Sequence, residues 1–122
     1  MADNKMYITE ANEFGQVLIS EDVLATIAYQ SLVDIEGFAG LTARSNAEFV
    51  KPLSEKHWRR GIHVFVSEKG KLYMELNILV HYGANVPHIA EKIQKLVADA
   101  IYSVTGHRPR RVHVNICGII RH

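Results

Sequence analysis

The chain has one cysteine, Cys117, so no disulfide can form within it. Long apolar runs are missing too: none approaches the roughly 20 residues that a helix needs to cross a bilayer. The first residues lack the succession of basic, apolar and small residues that marks a secretory signal. These absences make a reducing cytoplasm the expected compartment. There is also little excess of charge of either sign, with 14 Lys and Arg against 13 Asp and Glu. A balance that close argues against both a disordered polyelectrolyte and a globally basic nucleic-acid binder, and any electrostatic partner has to be sought in local clusters. No internal repeat or low-complexity tract occurs. At 122 residues the chain suits one domain with one core.

The clearest periodicity runs from Lys71 to Gly106. Leu72, Met74, Leu76, Ile78 and Val80 alternate with Tyr73, Glu75, Asn77, Leu79 and His81, the period of two of a long strand with one core face. Tyr82-Gly83 breaks the strand. A helix then starts near Asn85, a good cap, with Pro87 tolerated in the first turn, where its missing N–H costs nothing. Val86, Ile89, Ala90, Ile93, Leu96, Val97, Ala100, Ile101 and Val104 form its apolar stripe, and Thr105-Gly106 ends it.

The remaining elements are placed against this pair. Gly15–Ile19 reads as a short strand, followed by Ser20 as N-cap and by Glu21 and Asp22 in the first turn of a helix that Gly37 stops. Leu41–Ala43 suggests a short strand. Residues 44–60 read as a loop with a little helix, a turn hinted at by Ala47, Phe49 and Val50 being interrupted by Pro52. Ile62, Val64 and Val66 mark a strand joined to the long one through Glu68-Lys69-Gly70, and Val112, Val114 and Ile116 mark the last strand. The expected fold is α+β: a small mixed or antiparallel sheet with two amphipathic helices on one face, in the order β-α-(β)-β-β-α-β, with a ferredoxin-like arrangement as the nearest pattern. The expected division is a flexible lead-in over residues 1–13, to which Met6-Tyr7-Ile8 could add an edge strand, and a single domain over residues 14–120.

No motif specifies a reaction. His63, His81 and His113 could share the outward sheet face, but zinc needs converging ligands, and neither His pairs four apart nor Cys-x-x-Cys spacing occurs. Cys117 faces the same way as His63 and His113, yet one strand residue supplies neither a lowered thiol pKa nor a positioned base. Gly37-Phe38-Ala39-Gly40 has the form of a nucleic-acid-clamping GxxG loop, but in KH domains that loop joins two helices, and here it leads towards a strand. Phe65 and Tyr73 on an open sheet would suit an RNA platform, but the basic, glycine and aromatic pattern of such platforms is absent. The favoured reading is a protein-partner surface made by Phe65, Tyr73, Asn77, Leu79 and His81. Two basic clusters, containing Lys56, Arg59 and Arg60 and then Arg108, Arg110 and Arg111, would form one anion-binding rim if their strands entered the sheet from the same end.

Five segments together carry a family resemblance: FGQVLISEDVLATIA from Phe14, EGFAGL after the first helix, RRGIHVFV before the hairpin, LNILVHYGANVPHIAEKIQ, and TG followed by RVHVNICGI. Over about Phe14 to Ile119 the chain resembles the alkaline shock protein, or YloU-like, family of Gram-positive bacteria, whose members are associated with envelope stress. The GHRPRRV loop is more basic than that family's pattern, and Asn46 to Trp58 matches it only loosely. The resemblance implies a small cytoplasmic α+β protein without a known catalytic activity or cofactor. Members of this kind self-associate in some cases and in others are tethered to the membrane through a separate anchoring protein. The expected function is therefore a non-enzymatic adaptor or scaffold in envelope stress or homeostasis, acting as a homo-oligomer with protein partners. The alternative is a nucleic-acid-binding module using the basic rim.

Overall fold

The computed structural model describes residues 6–43, 52–54 and 56–121. Its centre is β5 (Leu72–His81), which is hydrogen-bonded on both sides. On one side it pairs antiparallel with β4 (Ile62–Val66) along its first half and with β3 (Phe38–Leu41) along its second half. On the other side β6 (Arg111–Ile120) runs parallel to it over nearly its whole length. The sheet is therefore mixed, and the parallel step is made by α2 (Val86–Thr105), the crossover that a parallel pair requires.

The two helices cover one face of this sheet. In α1 (Glu21–Leu32) Leu24, Ala25, Ala28 and Leu32 are buried, and in α2 Ile89, Ile93, Val97 and Ile101 are buried. These positions recur at helical spacing and meet Leu41, Ile62, Leu72, Met74, Leu76, Ile78 and Val80 in one core. The stripe on α2 is narrower than its apolar residues suggest, because Leu96 and Val104 remain exposed. Both helix starts are capped as their sequences require: Ser20 Oγ accepts from Val23 N–H and Asn85 Oδ1 from His88 N–H. Gly106, at φ 78°, takes the left-handed position that ends α2 and donates to the Tyr102 carbonyl. Helix α1 stops at Leu32, before Gly37, although Ile35 beyond its end is still buried.

Two expectations change. Residues expected as a lead-in form β1 (Met6–Asn12), which pairs with β2 (Gly15–Ser20) in a separate two-stranded sheet. The turn between them is set by Asn12 Oδ1 accepting from Phe14 N–H, with Gly15 at φ 129°. Because β2 is engaged there, it does not enter the main sheet, and the ferredoxin-like arrangement does not form. Near the start of β4, a short 3₁₀ turn at Trp58–Gly61 brings the Trp58 ring flat against Tyr29 of α1, with centroids 4.5 Å apart. The turn expected around Ala47, Phe49 and Val50 lies outside the described residues.

Candidate interaction surface

The sheet face opposite the helices is organised in rows across the strands. Phe65, Tyr73 and Arg111 stand side by side on β4, β5 and β6, and the next row is His63, Glu75 and His113. The following row pairs Asn77 with Asn115. Phe65 and Tyr73 have ring centroids 6.0 Å apart with planes tilted by 46°, and Phe65 is 55% exposed. An exposed aromatic on a sheet face is what a partner surface uses.

Further along β5 the face changes character. Asn77 and Leu79, expected at the partner surface, are fully buried. Their strand segment is flanked by β3 and β6, and Asn77 is held in a side-chain network instead of facing a partner. The Asn115 amide donates to Glu75 Oε2 at 3.0 Å and to Asn77 Oδ1 at 2.9 Å. With the carboxylate and the Asn77 oxygen each taking one of its hydrogens, the Asn115 orientation is fixed, and so is that of Asn77. Asn77 Nδ2 is left buried without a hydrogen-bond partner among the described residues.

Cys117 is the extra residue of a β-bulge, since Ile116 lies opposite Ile78 and Gly118 opposite Leu79. Its Sγ is 3.9 Å from Asn77 Oδ1 and 3.7 Å from the Asn115 carbonyl. Both are weak acceptors for a thiol, and neither acts as a base towards it. His63 and His113 flank Glu75, whereas His81 sits at the far end of β5, in a hollow of about 510 Å³ shared with Tyr82 and His88. Among the described residues no group of three His, Cys, Asp or Glu side chains is placed to hold a metal ion. Gly37-Phe38-Ala39-Gly40 leads straight into β3, where Phe38 faces Val80 and Gly40 faces Leu79 across a bulge, so it is not a loop between helices.

The basic residues divide into two groups. Since β4 runs against β5 and β6 runs with it, the segments preceding these strands lie towards opposite ends of β5, on opposite edges of the sheet. Lys56, Arg59 and Arg60 therefore do not merge with Arg108, Arg110 and Arg111. Arg59 pairs with Asp22 of α1 at 3.1 Å and donates to the Ile62 carbonyl, so it ties the 3₁₀ turn to the helix. Lys56 and Arg60 are exposed. At the other end, Arg110 N–H donates to the Leu72 carbonyl and joins the α2–β6 loop to the β4–β5 turn. Lys69 and Lys71 on that turn thus lie beside Arg108, around a second hollow of about 510 Å³. In the sequence this turn reads only as a hairpin connection, and its two lysines are the signal that it carries more.

One further exposed feature stands apart from the sheet. The β1–β2 ribbon presents Phe14, 91% exposed, with Val17 and Leu18 also exposed behind it. No helix among the described residues is long and apolar enough to cross a membrane.

No solved structure matches the chain. Among curated proteins, the uncharacterised protein YloU of Bacillus subtilis (strain 168) is 24% identical over 116 residues, which cover 93% of this chain and 96% of that protein. The uncharacterised protein Spy1535 of Streptococcus pyogenes serotype M6 is 24% identical over 106 residues, covering 87% of this chain and 80% of its own length. The family model described as the ASP23 family, cell envelope-related function, matches residues 9–121, nearly the whole of the described domain. The chain belongs to that family.

Proposed function

We propose that the protein is a non-enzymatic adaptor in cell-envelope homeostasis that self-associates through the free edge of β6 and binds protein partners through the side of the sheet away from its helices. The observation that carries this reading is the state of β6. Among the described residues this ten-residue strand pairs on one side only, with β5, and at its end Ile119, in register with Val80 on the helix side, is 57% exposed beside that free edge. A long edge strand offers a row of main-chain donors and acceptors to another chain, and proteins that do not use such an edge usually blunt it with charge, proline or a covering segment. The charged residues of β6 lie at its start, leaving Val114 to Ile120 without one. The Phe65 and Tyr73 pair adds aromatic area on the adjoining face.

The test is the mass of the purified protein in solution as concentration rises, measured by light scattering and sedimentation. Self-association that Ile119→Asp abolishes, with circular dichroism unchanged, is the expected result. A monomer at every concentration would remove the self-association.

A further inference from the structure

We propose that the end of the molecule formed by the β4–β5 turn and the α2–β6 loop binds directly to the anionic phospholipid headgroups of a bilayer surface. This goes beyond the adaptor reading, which needs only protein partners. Four exposed cations come together here. Lys69 and Lys71 stand on one loop, and Arg110 and Arg111 on the other, all exposed. None of these four forms an ion pair among the described residues, whereas Arg59 and Arg108 each hold an aspartate. His107 and His113 flank the second loop, and the acids at this end are Glu68, Glu75 in the row of His113, and Asp99, the last occupied by Arg108 at 3.0 Å. In a chain whose formal charge is only +1, such a cluster leaves the rest of the molecule net acidic, so the protein is polarised with its positive pole at this end.

The shape of the pole favours a flat anionic surface over a strand of nucleic acid. The cations sit on the tips of two adjoining loops, held together by the bond from Arg110 N–H to the Leu72 carbonyl, so a plane of headgroups meets them simultaneously. The last turn of α2, which leads into this end, exposes Tyr102 and Val104, and the Arg108 guanidinium lies 4.8 Å from the Tyr102 ring centre. A tyrosine, an aliphatic side chain and arginines at one end suit the boundary between water and lipid. A single-stranded nucleic acid would instead need ring faces for its bases. Tyr73 is half-buried against the tilted Phe65 ring, and Arg111 is the one cation in their row. The family's cell envelope-related description is consistent with the choice.

The experiment is co-sedimentation of the full chain with vesicles of phosphatidylglycerol and phosphatidylcholine, with pure phosphatidylcholine vesicles and a single-stranded oligonucleotide as comparison arms. The wild type is expected to bind the anionic vesicles, to be released by salt and to ignore the neutral ones. At about a fivefold contribution per cation near an anionic surface, Arg110→Glu/Arg111→Glu should lower binding by a factor of roughly 20 or more. Lys69→Glu/Lys71→Glu should do likewise, and provides a second route if the arginine pair disturbs the loop in a thermal melt. Lys56→Glu/Arg60→Glu changes the net charge by the same amount at the other end of the sheet and should alter binding by less than about threefold, because a Debye length of roughly 8 Å screens it from the surface. Equal losses from both ends, binding to neutral vesicles, binding to the oligonucleotide alone, or no vesicle binding would each overturn the proposal.

Discussion

The two faces of β5 share one alternating sequence and meet different fates. On the helix side, Leu72, Met74, Leu76, Ile78 and Val80 are all buried, so that face belongs to the fold along its whole length. On the other side, Tyr73 and Glu75 are half-buried, Asn77 and Leu79 are sealed, and His81 at the end is half-buried again. A strand can therefore bury residues on both faces at its middle and keep contact surface at its ends. Working residues on this sheet are to be sought at its margins, at Phe65, Tyr73, Arg111 and the β6 edge.

The comparison is broken most severely from the helix side. Ile93→Asp places an unpaired charge in the fully buried centre of α2, at a cost of several kcal/mol, comparable to the whole stability of a domain. Circular dichroism should show an unfolded chain. Gly61→Ala comes next. A Cβ there would lie 2.8 Å from Leu41 Cβ and 3.1 Å from the Thr42 carbonyl oxygen, where β3 and the start of β4 approach, and the overpacking should cost about 1–3 kcal/mol in denaturant titration. Asn77→Ala probes the sealed part of the outer face. It removes the acceptor of the Asn115 amide but also the unpartnered Nδ2, so the net loss should be about 1 kcal/mol or less. The smallest effect on folding is expected at the margins: Phe65→Lys should change stability by no more than about 0.5 kcal/mol while weakening association. If Phe65→Lys unfolded the protein, that margin would belong to the core, and the contrast between the centre and the ends of the face would disappear.

Much of the fold was legible because its signals are local. The Asn85 cap, Pro87 in the first turn and Gly106 at the end bound α2 in the sequence as they do in the structure. The alternation from Leu72 to His81 identified the long strand and its core face. Alternation states which way a side chain points and not whether something covers that face, and so Asn77 and Leu79 were expected at a surface. Pairing is equally non-local. Nothing in Gly15–Ser20 itself says that it will join Met6–Asn12 instead of the central sheet, and the two basic clusters look alike until the opposite directions of β4 and β6 separate them. Arg59 illustrates the point: in sequence it is one of a run of cations, and in space it is the partner of Asp22.

The most direct test of the central claim, that the side away from the helices is the working side, is amide hydrogen exchange followed as the protein concentration is raised. The account predicts that protection grows along β6, from Val114 to Ile119, and around Phe65 and Tyr73, while the amides of α1 and α2 exchange at an unchanged rate. Protection that grows instead on the outer surfaces of α1 and α2, with β6 unaffected, would contradict it.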